Sequence, residues 1–243
     1  MQFRPSLIFA GIIPLLTGQV MAQEEYYDYG FVGGSLGVGQ TVFSEDSAGF
    51  IAEPNLFYNG EYGFIDGGLL NVAVMPWLGI TGQWRFAEVS DDFDSLPSGI
   101  ESREGNGELG LTLGTVGARL TFLNDVTSVH NGYEIQLHLG RVFDTPIDHF
   151  AVSPYVELDY RDQNLSEHLY GISAQEAAAS GLAQFNADSS WVYQAGLIGI
   201  YDITPDWLGI IKAEFTHHDS DSPLVRRDLG WAVTLGVSYK FTD

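Results

Sequence analysis

The sequence predicts an all-β chain folded as a transmembrane antiparallel up-and-down β-barrel, with one short helix in an extracellular loop. Three observations carry this. Residues 230–241 alternate, with Trp231, Val233, Leu235, Val237, Tyr239 and Phe241 on one face and Ala232, Thr234, Gly236, Ser238 and Lys240 on the other. Period-two alternation assigns side chains to the two faces of a sheet, and aromatics bracketing small aliphatics match a lipid-facing band between two interfaces. The apolar fraction is 45% while mean hydropathy is only +0.02, as expected when alternating strands average out. Arg4, an apolar run over 7–16 and the small-residue end Val20, Met21, Ala22 read as a secretory signal peptide over 1–22. Residues 23–243 are then a single outer-membrane barrel domain, with no later stretch approaching the roughly 20 apolar residues of a transmembrane helix.

Composition narrows the function. The chain has no cysteine, which excludes disulfides and thiolate metal sites. A formal net charge of −22 argues against nucleic acid as a partner and against polybasic docking onto anionic lipid.

Taken in order, residues 30–39 alternate glycine with Phe31, Val32, Leu36 and Val38, which suits a crowded or sharply curved wall. A hairpin follows across Asn59-Gly60, and a second reversal at 66–68. After Pro76, Leu78, Ile80, Trp84 and Phe86 oppose Thr81, Gln83 and Arg85. Residues 88–106 are acidic and irregular and read as a long loop. Strands at 107–114 and 116–123 form a hairpin; Tyr133, Ile135, Leu137 and Leu139 then oppose Glu134, Gln136 and His138. A turn at Pro146 precedes a strand in which Val156, Leu158 and Tyr160 oppose Tyr155, Glu157, Asp159 and Arg161. The loop over 162–190 holds the single expected helix, with Ser173 as N-cap, Glu176 closing a capping box and Gly181 as terminator. Strands at 191–201 and 207–217 flank the Thr204-Pro205-Asp206 turn, and the acidic loop 219–228 leads into the last strand.

Parity sets the strand number. Periplasmic termini, short periplasmic turns and long outer loops place the loops at 88, 126, 162 and 219 outside and give 12 strands. If the 107–123 hairpin and the reversal near Gly67 are both dropped, the count is 10. In this register Arg85, Arg119, Glu134, Glu157, Asp159, Arg161, Lys212 and Glu214 project into the lumen. Charges of both signs in so narrow a barrel predict ion pairs and a restricted or plugged interior.

Catalytic and metal chemistry find little support. His217 and His218 lie beside Asp219, Ser220 and Asp221, but adjacent strand residues face opposite ways and no serine motif accompanies them. His138 shares a face with Glu134 and Gln136, a thin metal site with one imidazole. Asp91, Asp92 and Asp94 lack the glycine and terminal glutamate of an EF-hand loop. No enzyme activity, metal or cofactor is expected.

The segments Leu169-Tyr170-Gly171-Ile172-Ser173, Gln175-Glu176-Ala177, Ser180-Gly181-Leu182 and Phe185-Asn186-Ala187 resemble the MipA/OmpV (MltA-interacting protein) family of outer-membrane proteins. Asp221-Ser222-Pro223-Leu224-Val225 and the tyrosine and glycine punctuation of 54–68 extend the resemblance over the chain after the signal peptide. Two departures are the residues Thr242 and Asp243 trailing the terminal aromatic Phe241, and Phe185 where relatives often carry tyrosine. The resemblance implies a non-enzymatic scaffold linked to murein synthesis, with a lytic transglycosylase and a penicillin-binding protein as partners beside outer-membrane lipid and lipopolysaccharide. Tyr170, Gly171, Ser173, Glu176, Ser180, Gly181 and Phe185 become candidates for partner contact. The charged lumen face supports the other expectation, a narrow porin-like diffusion channel.

Overall fold

The computed structural model describes residues 28–44, 48–90 and 96–242. The expected signal peptide, the Asp91, Asp92 and Asp94 cluster and Asp243 lie outside them. The strands are β1 (Tyr29–Gln40), β2 (Gly49–Gly60), β3 (Gly63–Asp66), β4 (Leu69–Met75), β5 (Leu78–Arg85), β6 (Asn106–Thr115), β7 (Ala118–Asp125), β8 (Tyr133–Gly140), β9 (Phe143–Asp144), β10 (Phe150–Arg161), β11 (Ser190–Asp202), β12 (Trp207–Asp219) and β13 (Gly230–Lys240). Two helices, α1 (Gln163–Tyr170) and α2 (Ala174–Ser180), lie between β10 and β11. All strands but β9 close an antiparallel ring of twelve, in which β8 pairs with β10, β10 with β11, and β13 returns to β1. β9 is a two-residue addition that pairs only with β10.

Alternation decides the faces. Leu36, Val38, Leu111, Leu137, Val156, Leu197, Ile211 and Leu235 point outward and are exposed, whereas Ser35, Thr81, Thr112, Thr121, Thr234 and Ser238 point inward and are buried. An apolar outside around a polar inside is the arrangement a bilayer selects. Among the described residues no helix is long and apolar enough to cross a membrane, so the strands make the crossing. The glycines of β1 follow from closure: a Cβ on Gly33 would sit 2.1 Å from the Val237 carbonyl oxygen, and one on Gly37 the same distance from that of Val233.

Two expectations are corrected. The first reversal is not at Asn59-Gly60 but at Glu61-Tyr62, because Asn59 remains paired with Tyr29 of β1 and Gly60 pairs with Gly63. The next reversal falls where expected, at Gly67-Gly68, with Gly67 at φ 60°. The second correction is α1, a helix in addition to the single one expected between 162 and 190. Asp162 caps it by accepting from the Leu165 amide, and Leu165 and Leu169, four residues apart, are both buried.

Candidate functional site: a charged lumen under a loop-built lid

The upper lumen is organised by two arginines on separate strands. Arg85 of β5 donates through Nη1 to Glu88 at 2.6 Å and through Nε to Glu108 of β6 at 3.2 Å, and a third contact reaches Glu134 of β8. Arg161 of β10 donates through Nε to the other oxygen of Glu134 at 2.9 Å, through Nη1 to Glu88 at 2.9 Å and to the Tyr170 hydroxyl at 2.9 Å. Glu134, fully buried, therefore bridges both guanidiniums, and Gln136 donates to it at 2.8 Å. Burial would raise Glu88, yet Arg161, Arg85 and His218 hold its carboxyl down at about 2. Charge-assisted, partly bidentate bonds of this kind fix geometry as well as energy.

A second tier lies nearer the periplasm. Arg119 of β7 pairs with Asp66 at 2.8 Å and lies 5.7 Å from the Phe64 ring centroid. His138 meets Glu157 at 2.8 Å, Lys212 lies 3.3 Å from Glu214 and 3.7 Å from Glu53, and Tyr155 bonds Glu214. Below, Phe31 and Phe57 stack at 5.4 Å and pack with Leu208, Ile210, Ile198 and Ile200. These inward apolar groups narrow the periplasmic end.

The outer mouth carries a core of its own. Val42 and Phe43 from the β1–β2 loop, Val89 and Ile100 from the β5–β6 loop, Leu165, Leu169, Tyr170, Ile172 and Ala187 from the β10–β11 loop and Leu224 from the β12–β13 loop form one buried cluster. Polar ties join the loops: Arg103 donates to the Gly171 carbonyl and to Glu176, both at 2.8 Å, and Ser222 donates to the Tyr170 carbonyl at 2.6 Å. Tyr170 locks this lid to the wall. Its hydroxyl contacts Arg161 below and His218 Nδ1 of β12 at 2.9 Å, and burial is the main reason its phenol titrates above the ordinary range.

In α2 the expected capping box is present: Ser173 accepts from the Glu176 amide, Glu176 accepts from the Ser173 amide, and Gly181 terminates the helix at φ 77°. Burial would raise Glu176, but Arg103, Ser173 and the Glu101 amide keep it at about 2, against an ordinary 4.5. A depressed carboxyl contributes stability that is complete above its unfolded value and lost as pH falls through its folded value. Lid protection, measured by amide exchange over 163–187, is thus expected to weaken between pH about 4.5 and about 2, and Glu176→Gln is expected to flatten that dependence.

Of the charges read from the sequence as inward, Arg85, Glu134, Glu157, Asp159, Arg161, Lys212 and Glu214 line the upper lumen cavity, and Arg119, Glu157 and Lys212 line the lower one. Asp159 is 2% exposed, and its Oδ1 has no hydrogen-bond partner among the described residues. Sequence reasoning missed Glu108, although it is in phase with Thr112 on the polar face of β6, and missed Glu88, Glu53 and Asp66. Of the loop residues, Tyr170 is fully buried and Gly171 and Glu176 are buried, whereas Ser180 and Phe185 remain partly accessible, Phe185 bridging to Ile172. His217 and His218 face opposite ways, the first bonded to the Asp228 carbonyl and the second to Tyr170.

A closed barrel with an apolar exterior, a paired interior and a 162–190 loop folded into a lid is the frame on which comparison with known proteins is informative. The model of the family described as MltA-interacting protein MipA matches residues 32–241. The chain belongs to that family. Among MipA relatives, "Putative outer membrane protein YiaT" of Escherichia coli (strain K12) is 26% identical over 205 residues, covering 78% of this chain and 82% of its own. The "MltA-interacting protein" of the same organism is 31% identical over 94 residues, covering 37% of this chain and 38% of its own. Among solved structures, a porin aligns over 86% of this chain and 99% of its own at 10% identity with a TM-score of 0.26, too low to bear on fold or chemistry. The family, the relatives' names and the closed barrel place this protein in the outer membrane.

Proposed function

We propose that this outer-membrane barrel is a non-enzymatic interaction protein serving peptidoglycan-synthesis enzymes, among them a lytic transglycosylase and a penicillin-binding protein. The observation that carries the reading is the obstructed interior: ion pairs span the lumen and a loop core covers its outer mouth. Outer-membrane lipid and lipopolysaccharide surround the apolar band. Murein enzymes approach from the periplasm, where the 141–149 connection offers Phe143 and Ile147, both exposed, with Arg141 placed 5.4 Å over the Phe143 ring, and where the β2–β3 and β4–β5 turns of the same rim carry the exposed Tyr62 and Trp77. Exposed aromatic and apolar groups beside a guanidinium suit an interface anchor.

A photo-crosslinking residue at Ile147 or Tyr62 is expected to capture a lytic transglycosylase in intact envelopes, and one at Leu229 in an outer loop is not. Capture from Leu229, or none from the periplasmic positions under conditions that preserve murein-enzyme complexes, would contradict the proposal. The second reading, a narrow channel, draws on two lumen cavities of about 500 and 490 Å³.

A further inference from the structure

The barrel wall is incomplete on one side. β3 and β4 turn back at Gly67-Gly68, so β3 covers β2 only from Phe57 to Gly60, with one further bond from the Gly67 amide to the Leu56 carbonyl. Across the gap, β5 pairs with β4 only up to Gln83, and the Trp84 amide donates to Gly68. Among the described residues the part of β2 from 49 to 55 has β1 as its only strand neighbour, which leaves about 20 Å of open edge at about 3.3 Å per residue. Pro54 lies in this stretch, and a residue without an amide is tolerated at an edge. By alternation with Leu56, the main-chain groups of Phe50 and Ala52 point into the gap. Backbone left open at membrane depth is tolerated where it lines a cavity.

Such a cavity is present. The upper one, about 500 Å³, reaches the outward-facing Phe50, and the lower one, about 490 Å³, reaches the outward-facing Pro54 and Leu56 as well as Gly67. The upper cavity thus touches both β2 and β5 at the slot, through Phe50, Ile51, Gln83 and Arg85, and the lower one touches its β2 side; the outer flanks of the slot carry Phe50, Leu56, Trp84 and Phe86. With the lid over the mouth, hydrocarbon lies at the slot. Inside, the upper cavity is acidic: Glu53, Glu88, Glu134, Glu157, Asp159 and Glu214 outnumber Arg85, Arg161 and Lys212. Asp159 stands on β10, across the lumen from the slot. It makes no ion pair within 4 Å, and its buried Oδ1 lacks a hydrogen-bond partner among the described residues. Among those residues no three His, Asp or Glu side chains converge on a metal position.

We propose that the upper lumen binds a cationic amphiphile that enters sideways from the outer leaflet through the β2–β5 slot, its apolar part at the slot and its ammonium group on Asp159. An apolar threshold selects molecules dissolved in the membrane, and the carboxylate excess with one unpartnered acceptor selects a cation. The site is separate from the periplasmic surface proposed above, so failure of one reading leaves the other standing.

The test uses the folded full chain in maltoside micelles with decylammonium, whose N–H groups can donate to the Asp159 carboxylate, as probe and decanoate and methylammonium as controls. Saturable 1:1 binding of the probe is expected, with both controls weaker by about tenfold or more. Asp159→Asn is expected to weaken the probe by about ten- to a hundredfold, the range of a hydrogen bond to a charged group. Asp159→Asn keeps the side chain's size and costs Oδ1 no hydrogen bond, so its thermal stability is expected to stay near that of the parent chain, which keeps the variant interpretable. Ala52→Cys carrying a bulky maleimide adduct blocks the slot and is expected to abolish probe binding with heat-modifiable mobility unchanged. Equal affinity for decanoate, unchanged binding in Asp159→Asn or in the blocked variant, or Ala52→Cys crosslinking between two copies would each overturn the proposal, the last by showing that a second copy fills the open edge.

Discussion

Replacing Arg161 with alanine is expected to destabilise the folded barrel by about 3–5 kcal/mol, the range for removing one partner from a buried ion pair. The size follows from what remains. Glu134 is fully buried, and Glu88 is held at about 2 largely by Arg161, so one substitution takes a guanidinium from two carboxylates, leaving Arg85 as the one arginine on each, and a donor from the Tyr170 hydroxyl. Arg161→Lys keeps the charge but loses the fork that serves Glu134 and Glu88 together, so an intermediate loss is expected. Changing Arg161 to methionine and Glu134 to leucine together leaves Arg85 paired with Glu88 and Glu108, and most of the stability is expected to return. Urea unfolding in micelles, followed by gel mobility and tryptophan fluorescence, measures all three. A loss below about 1 kcal/mol in Arg161→Ala, the level of a solvated pair, would show that the network is hydrated.

The second large effect is in the lid. Tyr170→Ala removes a fully buried aromatic ring touching Phe43 at 6.1 Å and His218 at 5.8 Å between centroids, and a loss on the order of 3–5 kcal/mol is expected locally. Tyr170→Phe deletes only the hydroxyl, leaving Arg161 and His218 a partner short, for which about 1–3 kcal/mol is expected. Because the strands do not depend on the ring, the barrel should keep its heat-modifiable mobility while the loops open. Trypsin reports this at Arg103, Arg226 and Arg227 in the lid loops, with cleavage faster by more than about tenfold in Tyr170→Ala. Unchanged cleavage would mean that the loop core closes without this side chain.

Alternation made most of the wall legible, since in β13 the outward Val233, Leu235 and Val237 are exposed and the inward Thr234 and Ser238 are buried, as the pattern assigns. The twelve-strand ring rested on two reversals. Gly67-Gly68 was readable because a two-residue turn needs positive φ, whereas Asn59-Gly60 misled because pairing with β1 carries those residues two positions further before the chain turns. α1 was missed because Tyr160 and Arg161 end a long alternating strand directly before the Asp162 cap, and the Leu165 and Leu169 pair is only one turn of helical signal. The bridging of Glu134 by two arginines was not legible, because alternation gives the face of a residue but not its height relative to strands elsewhere in the ring. The open edge of β2 was equally hidden. It depends on β3 being only four residues long, and the sequence does not mark where β3 stops pairing.

The central claim is a barrel whose interior is crossed by ion pairs and whose outer mouth is covered. Planar-bilayer recording on wild-type protein, shown by gel mobility to be folded in the same sample, tests it most directly. The expected result is no discrete unitary conductance from the folded species. Stable unitary steps altered by Arg85 or Arg161 substitution would contradict the account and put the channel reading in its place.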